Sequence, residues 1–209
     1  TARHVFTDAT CLARAAAPPE SASLTLWGQG DPAALPPHVE PLDAALAAAP
    51  RREPDPAPVR PDDPFLYLFT GGSAGSPRPV RVRHRRFVAA GAVLAPLLGI
   101  TADDVVYAPL PLSHAAGNLL GFAVALHAGA AFASRRRSTP ASCLDDLHRH
   151  GASVLVHAGE LCRYLLREPP RAADRSHRLR LAVGAGLRRD VWDAFRDRFA
   201  VPRIVEVYG

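Results

Sequence analysis

The chain has 209 residues, 48% of them hydrophobic, enough for a sizeable core in one or two domains. Its formal net charge is +5, but lysine is absent and the arginines stand among carboxylates, as in Arg51-Arg52-Glu53 and Arg196-Asp197-Arg198. The two arginine clusters, 81–86 and 135–137, have no interleaved aromatics, which excludes a single-stranded nucleic-acid binder.

Taken in order, residues 4–8 read as a strand and 9–17 as a small helix stopped by Pro18-Pro19. A second strand is expected over 24–27, closed by Gly28-Gln29-Gly30, and an alanine-rich helix over 42–49. Residues 1–49 thus form the end of a first α/β layer. Six prolines in 50–64 make an extended, semi-rigid connector. Residues 65–209 form the larger remaining part. It opens on the apolar β-run Phe65 to Phe69, continues into a loop of glycines and small hydroxyls, and returns as a strand over 80–82. A helix over 85–98 ends at Gly99. The charge-free stretch 105–134 is long enough for a membrane span. Pro109 and Pro111 break it, and Gly117, Gly121 and Gly129 punctuate it. A buried strand (105–107), a loop and a buried helix (117–128) are expected instead.

Strands follow at 130–133, 154–156, 179–183 and 204–207. Between them lie helices at 140–150, with Leu144 and Leu147 inward, at 159–166, stopped by Pro169-Pro170, and at 190–199, with Asp190 as N-cap. Strands alternating with helices specify an α/β fold with mostly parallel sheets flanked by helices.

The chemistry concentrates in Thr70-Gly71-Gly72-Ser73-Ala74-Gly75-Ser76-Pro77-Arg78. Glycine lets backbone N–H groups converge on one anion, hydroxyls add donors, and an arginine fork suits phosphate oxygens. The same residues also suit a tight turn between two strands. The Walker and dinucleotide fingerprints both fail here, and a strand follows where they need a helix. His114, in a Pro- and Gly-bracketed loop, suits either a pocket wall or a satisfied core histidine. Gly184-Ala185-Gly186 after a strand is a tight turn or a nucleotide contact, with Arg189 where a dinucleotide motif needs its third glycine. Glu160 reads as a first-turn carboxylate favoured by the helix dipole, and His84 as solvated surface. Ser113 adjoins His114, but no nucleophile elbow is present. Three scattered cysteines, Cys11, Cys143 and Cys162, lack metal-ligand spacing and point to a reducing compartment. With no methionine, the sequence reads as an internal piece of a longer polypeptide.

The glycine loop resembles the phosphate loop of the adenylate-forming synthetases, T-S-G-T-T-G-x-P-K, with Thr70, Gly72, Gly75 and Pro77 matching and Ser73 keeping a hydroxyl. Next come Leu110-Pro111-Leu112-Ser113-His114-Ala115-Ala116-Gly117-Asn118, Gly159-Glu160-Leu161-Cys162-Arg163-Tyr164-Leu165-Leu166, Gly184-Ala185-Gly186-Leu187-Arg188 and Tyr208-Gly209. These resemble L-P-L-Y-H-S-A-G-N, G-E-L-C-R-Y-L-L, G-N-G-L-R and the start of Y-G-x-T-E in the fatty acid transport, or very-long-chain acyl-CoA synthetase, branch. The resemblance is clear from about residue 65 onward.

It implies the large N-terminal domain of such a synthetase and a two-step reaction: fatty acid plus ATP gives acyl-adenylate, which CoA then captures. It implies that Thr70, Gly71, Gly72, Ser73, Ala74, Gly75 and Arg78 hold the β- and γ-phosphates. Gly184, Ala185, Gly186 and Leu187 would lie along the adenine, Tyr208 with Gly209 would stack on it, and His114 would sit by the acyl carboxylate. Mg²⁺ would be held by a glutamate beyond Gly209, and the piece alone would be inactive. The partners implied are fatty acid, ATP and CoA, in the cytoplasm, with peripheral membrane association open. Gly71 and Ala74 each lose a family hydroxyl, Arg78 replaces lysine, and Ser113 replaces tyrosine. The alternative is a non-enzymatic lipid-binding or trafficking relative whose phosphate loop has degenerated.

Overall fold

The computed structural model describes residues 3–16, 23–70 and 76–208. The chain forms two units, Thr1–Ala57 and Pro58–Gly209. The first holds a three-stranded parallel sheet in the order β1 (His4–Asp8), β2 (Thr25–Gln29), β3 (Val39–Pro41). Helix α1 (Leu12–Ala16) and helix α2 (Leu42–Ala48) follow β1 and β3, and Leu12, Leu26 and Val39 form the small core. Strand β3 was not expected. Its three residues, Val39-Glu40-Pro41, are too few to show an alternation, and Pro41 speaks against a strand. Helix α1 begins three residues later than the expected 9–17, because the Asp8 carboxylate holds the Thr10 and Cys11 N–H groups in a turn, while Ala17 and the Pro18-Pro19 stop lie outside the described residues.

In the second unit, β4 (Pro64–Thr70) and β5 (Arg78–Arg83) pair as an antiparallel hairpin. Phe65, Tyr67 and Phe69 alternate outward, while Leu66 and Leu68 pack with Val82 and Phe87. Helix α3 (His84–Leu98) follows directly. A five-stranded, all-parallel sheet completes the unit. It comprises β6 (Val105–Ala108), β7 (Ala131–Ser134), β8 (Val154–Ala158), β9 (Leu181–Ala185) and β10 (Arg203–Glu206), in the order β10-β9-β8-β6-β7.

Both faces of this sheet are covered. Val106, Ala108, Val154, Val156, Leu181 and Val183 face α3 and α4 (Ala123–Ala128). Tyr107, Leu155 and Ala182 face α5 (Pro140–Arg149), α6 (Leu161–Arg167) and α7 (Arg189–Phe199). Burial on both faces explains the near-continuous apolar strands. The α/β class with helix-flanked parallel sheets is therefore the observed one. Among the described residues no helix is long and apolar enough to cross a membrane.

Buried polar pairs tie the layers together. Asp104, just before β6, accepts two hydrogen bonds from Arg180, at 2.9 and 2.6 Å, and one from the Ser153 hydroxyl at 2.7 Å. Asp146 of α5 accepts from the Tyr107 hydroxyl at 2.8 Å and from Arg135 at 2.5 and 2.6 Å. The Arg135 bonds hold the Asp146 carboxyl below its usual range, against the opposing effect of burial.

Three local expectations need correction. Asp190 is not the N-cap of α7. Arg188 occupies that position without a side-chain bond, and Asp190 lies in the first turn, paired with Arg188 and Arg163. The segment expected as one helix over 117–128 is π-helical over Ala116–Phe122 before α4 begins. Its glycines press against the exit of β6: a Cβ on Gly117 would come within 2.5 Å of the Pro111 carbonyl oxygen. His84 is half-buried rather than solvated, with its ring 5.1 Å from that of Phe65.

Candidate functional site

In a parallel sheet, groups that act on a ligand gather beyond the carboxyl ends of the strands, where neighbouring connections diverge. Here the chain runs from β6 outward to β7, then returns to the far side of β6 as β8. The loops after β6, β8, β9 and β10 therefore leave from one edge. The expected site residues fall on that edge and on the β4–β5 hairpin.

Thr70 and Arg78 are the last paired residues of the hairpin on the side of the glycine stretch. Gly71, Gly72, Ser73, Ala74 and Gly75 lie outside the described residues, as does Gly209. Arg78 is exposed.

His114 stands in the loop after β6 and is exposed, so it is not a core histidine. Its backbone N–H donates to the Pro111 carbonyl at 2.9 Å, and its Nδ1 accepts from the Ala116 N–H at 3.2 Å. That bond fixes the ring and leaves Nε2 as the nitrogen available to a ligand. His114, Ser113 and Leu119 share a cavity of about 850 Å³ with Leu68, Val80 and Val82 of the hairpin. Arg81, Arg83, Arg85 and Arg86 line the same cavity. In sequence they stood out only as a cation run; the pairing of β5 with β4 and the start of α3 bring them to one wall. Asp62 pairs with both Arg83 and Arg85, at 2.9 and 3.0 Å.

The turn 184–187 leaves the end of β9. Gly184 has no room for a side chain, since a Cβ would lie 2.0 Å from the His157 carbonyl oxygen. Gly186 has φ +90°, open to glycine and strained for other residues. The Ala185 carbonyl accepts from the Gly159 N–H at 2.9 Å and the Gly184 carbonyl from the Val207 N–H at 2.7 Å. The turn is thus clamped between the ends of β8 and β10. Ala185 is exposed, while Leu187 is buried against the α7 side of the core. Tyr208 follows β10 with its side chain fully exposed. The result is a backbone shelf, with an exposed aromatic residue one position beyond the Val207 N–H that bonds to it.

Two residues here were not singled out from the sequence. Glu206 accepts from the Gly186 N–H at 2.8 Å. His157 is fully buried in the end of β8, and neither ring nitrogen has a hydrogen-bond partner. The signal for His157 was a single polar residue inside Val154-Leu155-Val156-His157-Ala158. For Glu206 there was none, because a carboxylate at a strand end is ordinary. Glu160 precedes α6 and pairs with Arg163 without capping the helix by its side chain. Among the described residues, no three His, Cys, Asp or Glu side chains converge as a metal site.

The whole chain, residues 1–209, matches the model of the AMP-binding enzyme family. The chain belongs to that family, and its curated relatives are long-chain fatty acid transport proteins. It is 42% identical over 177 residues to long-chain fatty acid transport protein 5 of Homo sapiens, an alignment covering 83% of this chain and 25% of that protein. It is 38% identical over 190 residues to long-chain fatty acid transport protein 1 of Mus musculus, covering 90% and 29%. The chain thus spans about a quarter of the length of these relatives.

Its fold is also that of solved acyl-CoA ligases. A benzoate CoA ligase from Burkholderia xenovorans LB400 superposes with TM-score 0.81 at 22% identity, over 98% of this chain and 40% of that one. The anthranilate CoA ligase AuaEII, solved with anthranoyl-AMP, gives TM-score 0.82 at 15% identity, over 97% and 40%.

Proposed function

We propose that this chain is the part of an ATP-dependent fatty acid–CoA ligase that carries the phosphate loop, the acyl-pocket histidine and the adenine shelf. The observation that carries the reading is that the His114 loop and the 184–187 turn leave one edge of one parallel sheet. A cavity with both apolar and arginine lining lies beside His114, and the turn forms a clamped backbone shelf. The family match and the fatty acid transport relatives support the same reading.

In the first step a carboxylate oxygen of the fatty acid attacks the α-phosphorus of ATP, and pyrophosphate leaves. In the second the CoA sulfur attacks the acyl carbon, its proton passes to solvent, and AMP leaves. The protein's task in both is to align reactants and offset charge. Thr70, Gly71, Gly72, Ser73, Ala74, Gly75 and Arg78 would hold the outer phosphates. The Gly71 and Ala74 positions offer two hydroxyls fewer than the family loop, each hydrogen bond worth about 0.5–1.5 kcal/mol. Gly184 to Leu187 would lie along the adenine, with Tyr208 and Gly209 against its face. His114 would orient the carboxylate through Nε2, and Leu68, Val80, Val82 and Leu119 would wall the acyl chain. Mg²⁺ would neutralise phosphate charge from a position these residues do not supply. The reading extends to a cytoplasmic protein with peripheral membrane association.

The test is fatty-acid-dependent ATP–pyrophosphate exchange by the full-length gene product, over a series of chain lengths. Exchange that requires a long-chain acid is expected. A folded protein that binds fatty acid but exchanges no pyrophosphate would overturn the reading.

A further inference from the structure

His157, Gly184 and Glu206 form one row across three adjacent strands. His157 is the register partner of Gly184 in the β8–β9 pair, and Gly184 that of Glu206 in the β9–β10 pair. The imidazole lies over the glycine: a Cβ on Gly184 would fall 2.6 Å from His157 Nδ1. With no side chain in the way, the ring spans β9 and brings Nε2 to 3.6 Å from Glu206 Oε1. The other carboxylate oxygen, Oε2, holds the Gly186 N–H.

The ring is fully buried, and neither nitrogen is hydrogen-bonded. Burial pushes its pKa down to about 4, so it is neutral at ordinary pH and has one N–H to give. A buried polar group without a partner is an exception that calls for a role. Its neighbours on the same sheet face, Leu155 and Ala182, are apolar core residues, so packing alone would be served by a hydrocarbon. Glu206 Oε1 is an acceptor a short movement beyond hydrogen-bond range of Nε2.

We propose that His157 is a positioning residue for the nucleotide shelf. Its Nε2–H donates to Glu206 when nucleotide is seated, and Glu206 in turn fixes the Gly186 N–H, so that the 184–187 backbone meets the base in one conformation. His157 touches no substrate and acts through Glu206. The inference rests on the reading of the turn as the adenine-binding surface.

The test uses the full-length gene product and follows ATP–pyrophosphate exchange with ATP and fatty acid varied separately. His157→Phe fills the ring's space without an N–H, and His157→Gln restores a donor. For the Phe variant we expect the KM for ATP to rise about three- to tenfold, the scale of one hydrogen bond, with kcat and the KM for fatty acid within about twofold. The Gln variant should return to within about twofold of wild type in the KM for ATP. The proposal is overturned by an unmoved KM for ATP in the Phe variant, by an equal shift for fatty acid, or by a Gln variant no better than Phe. If the Phe variant shows no cooperative melt, His157→Leu is read by the same criteria. Absence of exchange in the wild-type protein overturns the adenylation reading and this inference together. Normal wild-type exchange with unmoved variants overturns the role of His157 alone.

Discussion

Gly91 of α3 sits directly on the backbone of Ala123 at the start of α4: a Cβ there would lie 2.5 Å from the Ala123 carbonyl oxygen and 2.7 Å from the His127 Cβ. The contact sets the separation of two walls of the cavity beside His114, because α3 carries Arg85, Arg86 and Ala89 and the segment leading into α4 carries Leu119. Alanine is the better helix former by about 1 kcal/mol. The clash is with backbone, which cannot swing away, and overpacking of this kind costs about 1–3 kcal/mol. Gly91→Ala should therefore destabilise the chain by about 1 kcal/mol despite its helix propensity. Urea denaturation should show a lower midpoint at an unchanged slope.

Asp104 gives the chain part of its acid sensitivity. Burial raises its pKa, but the bonds from Arg180, the Thr101 N–H and the Ser153 hydroxyl more than offset this and leave it at about 2. A carboxyl whose pKa is depressed on folding adds stability above its unfolded pKa of about 4 and loses it as the pH falls toward the folded value. The expected contribution at neutral pH is about 1–2 kcal/mol, allowing for solvent around the part-exposed Arg180. Stability measured by urea titration at stepped pH should fall between about pH 4 and pH 2. Asp104→Asn should lower stability at pH 7 and flatten that part of the profile. A variant with the wild-type acid slope would show that the pair is not its source.

The elements of the five-stranded sheet were legible because burial on both faces leaves short apolar runs, such as Val154-Leu155-Val156, set off by helices with a clear inward stripe, such as Leu144 and Leu147. The π-helical start of the segment before α4 was not legible. Ala116 to Phe122 carry one polar side chain, the buried Asn118, so periodicity has little to report, and Gly117 and Gly121 pack closely against Pro111 and Ala108. The Asp190 cap failed because the N-cap falls two residues earlier, at Arg188, and Arg163 engages the Asp190 carboxylate. At the site, His114 and the 184–187 turn could be found from local motifs. The row His157–Gly184–Glu206 could not, since it joins three strands far apart in sequence and depends on register.

The cysteines divide by burial into one reactive and two inert thiols. Cys11 is exposed, while Cys143 and Cys162 are buried, and burial pushes each of those thiols up to about 12. The thiolate is the nucleophile, so both buried groups are doubly protected. Native protein at pH 8 should take up a single equivalent of a thiol reagent per 209-residue chain, at Cys11, and two more when denatured. Mass spectrometry after brief alkylation reads this directly. Early labelling of Cys162 would mean that α6 opens away from the sheet.

Arg78 and His114 stand on different substrates in the proposed reaction, and their variants should separate in kinetics. Arg78 pairs with Thr70 at the end of β5, and in the proposed reading its cation serves the outer phosphates. His114 lines the cavity, and its Nδ1 is taken up by the Ala116 N–H. Arg78→Ala should raise the KM for ATP and lower exchange by about tenfold to a hundredfold, the scale of one charge-assisted contact to a phosphate. Arg78→Lys keeps the charge and loses the planar fork, so it should retain most of the rate. His114→Ala should leave the KM for ATP near wild type and lower kcat/KM for fatty acid by about tenfold or more, because it removes the group that orients the carboxylate. The decisive measurement is exchange with each substrate varied in turn. If both variants depressed the same constant, the hairpin turn and the His114 loop would be serving one ligand, and the assignment of phosphates to one and acyl carboxylate to the other would have to be withdrawn.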